Sequence, residues 1–224
     1  MTNNKKPLIY VLVAMPWLVL ILVSPVIGTL AINEHSRTTL IETWSHWASK
    51  RWGATAVFCG DSLIAGGHHW GPKLGLGYLT TRNLAGNGYT IKQITSQVRK
   101  AAVYKPDYIF VAAGTNDAFQ ILSEHQNFEE TLVSFRELLN TAQYPVILML
   151  PPPTRNQDLN DILTELRKGM LLIAQEFDIR VIDVWPEFTD EDGLLKVDLT
   201  TDGVHFTDAA YEILSDEIND EIFR

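Results

Sequence analysis

Four short segments carry residue types that could do chemistry together. Asp202-Gly203-Val204-His205 sets a carboxylate and an imidazole three residues apart on one loop. At that spacing the acid can hydrogen-bond the ring and fix which nitrogen carries the proton, as a general base requires. Gly60-Asp61-Ser62-Leu63 follows an apolar run and puts a serine beside a glycine, where its hydroxyl can face a cleft. Gly114-Thr115-Asn116-Asp117 follows another apolar run, and the Asn116 side-chain NH₂ can donate to an oxyanion. The stretch Asn83 to Thr90 places Gly88 just ahead of a helical pattern, where a glycine lets a backbone N–H approach a ligand. Each segment also has a plainer reading. Asp61 or Ser62 can cap a helix, Asn116 can form an Asx turn, residues 83–90 can be an ordinary turn, and His205 can lie on a solvated loop.

Residue patterning says what must position these groups. Thr55–Cys59, Asp107–Ala113, Pro145–Leu150 and Arg180–Val184 read as strands, most of them continuous apolar runs. Ile91–Val103, Phe128–Thr141, Leu159–Phe177 and Asp208–Ile218 read as helices, with Thr90 and Thr207 as caps. Strands buried on both faces and separated by helices predict an α/β fold with a parallel sheet and helices on each side. In such folds functional groups gather at the carboxyl ends of the strands, which is where the Gly60 and Gly114 segments fall. The apolar stripe of Leu159–Phe177 reads as core.

The four segments, in this order, resemble the blocks of the SGNH subgroup of the GDSL esterase/lipase family. The resemblance covers about residues 54–220. It implies a three-layer α/β/α sandwich of flavodoxin-like type over residues 54–224. It also implies roles: Ser62 as nucleophile, His205 as general base and Asp202 as the group that orients His205. The backbone N–H of Ser62, the backbone N–H of Gly88 and the side chain of Asn116 would form an oxyanion hole. That chemistry needs no cofactor and no metal. It predicts a carboxylic-ester hydrolase acting on a small-molecule, glycan or lipid ester, with a short or acetyl acyl group favoured. An acyltransferase using the same residues on a sugar or lipid acceptor, a lysophospholipase or a thioesterase are alternatives within the same chemistry. A binding protein on a dead hydrolase fold is a different class, and four intact blocks argue against it.

Charge narrows the partners. The formal net charge is -9; residues 1–33 hold only Lys5 and Lys6, so the rest carries -11. An acidic body repels nucleic acid, and no nucleic-acid partner is expected. The lone cysteine, Cys59, cannot form an internal disulfide and reads as a buried strand residue. No dinucleotide fingerprint and no lysine-bearing phosphate loop occur. The His68-His69 doublet lacks a third metal ligand nearby, and Trp70 reads as core. Pro151-Pro152-Pro153 is expected to stiffen a cleft wall.

Residues 7–33 contain no charged side chain and exceed the roughly 20 apolar residues that span a bilayer. The run is too long for a cleaved leader, so an uncleaved signal-anchor over residues 1–33 is expected. Lys5 and Lys6 ahead of it predict a cytoplasmic N-terminus and an extracytoplasmic catalytic body in a single-pass cell-membrane protein. Residues 34–53 then form a linker with helical spacing of Leu40, Ile41, Trp44 and Trp47, followed by Trp52. That helix can pack on the body, or its tryptophans can sit at the membrane interface.

Overall fold

The computed structural model describes the backbone of residues 34–223 and the side chains of residues 43–221. The span expected over residues 7–33 lies outside them. Among the described residues no helix is long and apolar enough to cross a membrane. The chain divides into two compact units, Met1–Trp44 and Ser45–Arg224.

In chain order the first elements are α1 (Glu34–Trp52), β1 (Ala54–Gly60), α2 (Ser62–Ala65), α3 (Trp70–Lys73), β2 (Thr81–Asn83) and α4 (Ile91–Ala101). They are followed by β3 (Pro106–Ala112), α5 (Thr115–Leu122), α6 (Phe128–Thr141), β4 (Val146–Met149) and α7 (Gln157–Glu176). The last are β5 (Arg180–Ile182), α8 (Trp185–Phe188) and α9 (Asp208–Phe223). The five strands form one parallel sheet in the order β2-β1-β3-β4-β5. The chain moves outward from β1 to β2, then crosses back to β3. The strand order therefore reverses between β1 and β3, and a crevice opens at their carboxyl ends.

Alternation along each strand builds a core on either side of the sheet. Val57, Cys59, Ile109, Val111, Val146 and Leu148 face α4, α6 and α7. Ala56, Phe58, Phe110, Ala112, Ile147 and Met149 face α2, α3 and α9. These two packed faces make the three layers. Each large side chain removed from water here contributes roughly 1.5–3 kcal/mol. Phe58 shows the packing: its ring stacks on Trp70 at 4.9 Å and on Phe110 at 5.2 Å. Trp70 is therefore core, and its indole N–H donates to the Ile64 carbonyl at 3.1 Å. Leu159, Leu163, Leu166, Met170 and Ile173 of α7 are likewise core.

Two elements depart from the sequence reading, and the linker proves helical as expected. β2 is only Thr81–Asn83, too short and polar to show as an apolar run. The Gly114–Asp117 segment is no loop: α5 starts at Thr115, directly after Gly114 turns the chain at φ 113. Within the second unit, Ser45, Ala48 and Ser49 of α1 are buried, and the Ser45 hydroxyl donates to the Thr81 carbonyl at 2.8 Å. Trp44, Trp47 and Trp52 are exposed.

Candidate active site

The end of β1 is locked before it delivers Ser62. Gly60 donates its N–H to Gln97 Oε1 at 2.7 Å, and its carbonyl accepts from Gln97 Nε2 at 3.1 Å. A Cβ at Gly60 would meet Ile64 and the Ala112 carbonyl within 3 Å, so only glycine fits between β1, α2 and β3. Asp61 caps α2 by accepting from the Leu63 N–H at 2.9 Å. The chain thus turns sharply at Asp61, and Ser62 points out of the sheet end. From 148 residues further along the chain, Tyr211 of α9 donates its hydroxyl to the Leu63 carbonyl at 2.9 Å. Burial pushes that phenol up to about 12, so it stays a neutral donor.

His205 arrives on the loop before α9. Asp202 Oδ1 accepts from the N–H groups of Val204 (3.0 Å) and His205 (2.8 Å), and Oδ2 lies 2.7 Å from His205 Nδ1. Those contacts, the imidazole first, hold the Asp202 carboxyl down to about 2. Gly203 sits at φ 95, in the left-handed region that suits glycine, and its carbonyl accepts from the Arg155 N–H at 2.8 Å. On its other side the ring presents Nε2 to the Ser62 hydroxyl at 3.0 Å. Asp202, His205 and Ser62 therefore form one hydrogen-bonded chain. With Asp202 ionised, His205 carries its proton on Nδ1 and leaves Nε2 free to accept from the serine.

These side chains open into a cavity of about 690 Å³ lined by Ser62, Ala65, Gly66, His68, Asn87, Gly88, Asn116 and His205. All five residues expected at the site are brought together around it, Asp202 through His205. Gly88 has φ 73, the backbone state that its turn requires.

The profile of the GDSL-like lipase/acylhydrolase family matches residues 58–213, the stretch that carries this constellation. The chain belongs to that family. Its members are ester-hydrolysing enzymes. A GDSL esterase/lipase of Arabidopsis thaliana is 26% identical over 177 residues, covering 66% of this chain and 56% of that protein. The chain thus spans little more than half the length of that relative. A GDSL-like lipase from Bacteroides thetaiotaomicron shares the fold at TM-score 0.63 and 20% identity, over 81% of this chain and 98% of that one. An acetylxylan esterase from Geobacillus stearothermophilus shares it at TM-score 0.61 and 21% identity, over 76% of this chain and 95% of that one.

Within this GDSL site the Asn116 amide is already engaged. Its Nδ2 donates to the Tyr89 carbonyl at 3.1 Å and more weakly to Asp61 Oδ2 at 3.4 Å. An oxyanion can receive this donor by taking the place of one of these two acceptors. Asp61 itself is buried, and that burial, with Asp117 close by, pushes its carboxyl up to about 7. Asp117 is also raised by burial; it accepts from the Ile91 N–H at 3.0 Å and from Gln126 Nε2 at 3.0 Å. Both aspartates act as structural hydrogen-bonders. Burial likewise pushes the Cys59 thiol up, which makes it an inert core residue.

Several supports escaped the sequence reading. Gln97, Gln126 and Tyr211 were not singled out, yet they hold Gly60, Asp117 and Leu63. Gln97 did leave a signal, because it falls on the apolar face of α4 with Ile94 and Ala101. Asn83 ties the site's loops together: Nδ2 donates to the carbonyls of Ile64 (3.0 Å) and His68 (3.1 Å), and Oδ1 accepts from the Ala85 N–H at 3.0 Å. Pro151, Pro152 and Pro153 are buried and do not line the cavity. Their loop instead leads to Arg155, whose N–H donates to the Gly203 carbonyl on the loop that carries His205.

Proposed function

We propose that this protein is a serine ester hydrolase that removes acetyl or other short acyl groups, held at the cell membrane by residues 7–33 with its catalytic body on the extracytoplasmic side. The observation that carries the reading is the hydrogen-bonded run from Asp202 through His205 to Ser62, at 2.7 and 3.0 Å. Ser62 attacks the ester carbonyl as His205 Nε2 takes its proton. Negative charge develops on the carbonyl oxygen, where the N–H groups of Ser62 and Gly88 and the amide of Asn116 receive it. As the intermediate collapses, His205 protonates the departing alcohol and leaves an acyl-serine. Water, deprotonated by the same histidine, then releases the acid.

The short acyl preference rests on the cavity. Ala65 and Gly66 are its apolar contributors, and among the described residues no large apolar side chain lines it. An alkyl chain would find no bulky apolar side chain to pack against among these residues. That an acetylxylan esterase shares the fold is in keeping with this choice. The anchor rests on the uncharged run of residues 7–33 and the lysines ahead of it.

The test is direct. A fluorophosphonate probe labels the full-length protein and fails to label Ser62→Ala. Rates on p-nitrophenyl esters fall as the acyl chain lengthens from acetate to octanoate. No labelling of folded wild-type protein, or a preference for octanoate, overturns the corresponding half of the reading. Transfer to an added sugar acceptor that far outpaces hydrolysis would make the protein an acyltransferase.

A further inference from the structure

The residues lining the cavity divide into two sets. Ser62, Gly88, Asn116 and His205 surround the reacting atoms; Ala65, Gly66, His68 and Asn87 form the remaining wall. Of that second set two are small, and the other two, His68 and Asn87, are polar and exposed. Neither the His68 imidazole nor the Asn87 amide has a side-chain hydrogen bond among the described residues. The wall therefore offers polar groups that fold stability has not already used.

His68 is also held where it is against its backbone preference. Its φ is 51, in the left-handed region, whereas Gly66, two residues before it, has an ordinary φ of -64. The conformation is imposed from both ends of the residue. The His68 N–H donates to the Ala65 carbonyl at 3.0 Å, and its carbonyl accepts from Asn83 Nδ2 at 3.1 Å. A glycine would occupy this position without strain, and the loop contains two glycines one and two residues away. A strained non-glycine residue fixed on a cavity wall, with its side chain uncommitted, is the pattern of a residue kept for a ligand.

The chemistry of that wall selects the ligand. An alkyl group laid against His68 and Asn87 would strip water from them and return no hydrogen bond. A hydroxylated alcohol would replace the lost water contacts one for one. Building on the hydrolase reading above, we propose that His68 determines specificity by hydrogen-bonding a hydroxyl of the alcohol half of the substrate, so that the enzyme takes acylated sugars. Asn87 offers the second contact. The cavity, at about 690 Å³, is large enough for a small-molecule ligand of this kind.

The experiment compares two esters that share an acetyl group and differ in the alcohol: an acetylated xylo-oligosaccharide and p-nitrophenyl acetate, with the full-length enzyme in detergent. The readout is the ratio of kcat/KM on the sugar ester to kcat/KM on the aryl ester. In His68→Gly, which also relieves the backbone strain, that ratio falls by roughly tenfold or more, mainly through a higher KM for the sugar ester. His68→Asn, which tolerates the left-handed backbone and keeps a donor and an acceptor, recovers part of the loss. An equal fall on both esters, or no fall on either, overturns the role of His68. Wild-type enzyme that cleaves p-nitrophenyl acetate but not the sugar ester overturns the substrate class and leaves the hydrolase reading standing. Wild-type enzyme inert on both esters overturns the hydrolase reading itself.

Discussion

Two aspartates flank the same serine and meet opposite fates. Asp202 sits on an exposed loop, yet its carboxyl is held down to about 2 by the imidazole and backbone N–H groups that it accepts from. Asp61 is buried at the end of β1, and its carboxyl is pushed up to about 7. Asp61 also accepts a backbone N–H, from Leu63, so hydrogen bonding alone does not separate the two. The difference is solvation together with neighbours: desolvation dominates at Asp61, with Asp117 adding repulsion, while Asp202 keeps its water and faces a base. On the proposed mechanism, the exposed loop is where charge serves the reaction. The buried strand end is where shape is fixed, and the fold bears a carboxyl there at an energetic cost.

The largest effect that should separate the two regions is Asp202→Asn. Losing the ionised partner lets His205 adopt the wrong tautomer, and kcat falls by about 10⁴-fold while the melting temperature changes little. A variant within tenfold of wild type would remove Asp202 from the proton chain. Next comes Asn116→Ala, at the boundary between the regions, where it touches both Asp61 and Tyr89. Turnover drops by roughly a hundred- to thousand-fold with little change in KM, as for other oxyanion donors. An equal loss in KM would point to ground-state binding instead.

Asp61→Asn tests the buried side through pH. A carboxyl raised to about 7 favours the fold fully below its ordinary range near 4, and that contribution is lost as pH rises through about 7. Asparagine has no proton to lose and can still cap α2. The variant therefore gains melting temperature relative to wild type on going from pH 5 to pH 8. Parallel curves would show that Asp61 does not titrate in this window, leaving Asp117, raised in the same direction, to account for any slope. Asp202 has the opposite sign. Its contribution is present above the ordinary carboxylate range and is lost only as pH falls through about 2, so it shapes no stability change at working pH. The smallest effect is Gly203→Ala on the exposed loop. Its left-handed φ of 95 and the Arg155 side chain 3.3 Å from the added methyl make the substitution cost about 1 kcal/mol. Thermal melts check the stability, and a fall in kcat larger than the stability loss would show that the loop's shape matters to the base.

What was legible in the sequence follows from what leaves a pattern. The apolar runs of β1, β3 and β4 announced a buried parallel sheet, and the four chemical segments fell at its carboxyl edge or just before α9. Strand β2 left no pattern because Thr81-Arg82-Asn83 needs only backbone pairing with β1 to exist. α5 was hidden by Gly114, which reads as a loop residue but acts as a hinge into a helix. The supporting polar side chains were harder still. Gln97, Asn83 and Gln126 are ordinary surface types, and only burial against a particular carbonyl or carboxylate gives them meaning. His68 was visible as a residue, but its φ and its place on the cavity wall are products of the loop's closure by Asn83.

The contact between His205 and Ser62 joins positions 143 residues apart. A ribosome completes Ser62 and all five strands of the sheet before it makes His205. Tyr211, which braces the serine turn, comes later still. On the mechanism proposed above, a partly synthesised chain holds an inert serine, and activity waits for the final helix to dock. Truncation from the C-terminal end should silence this protein well before it removes the sheet.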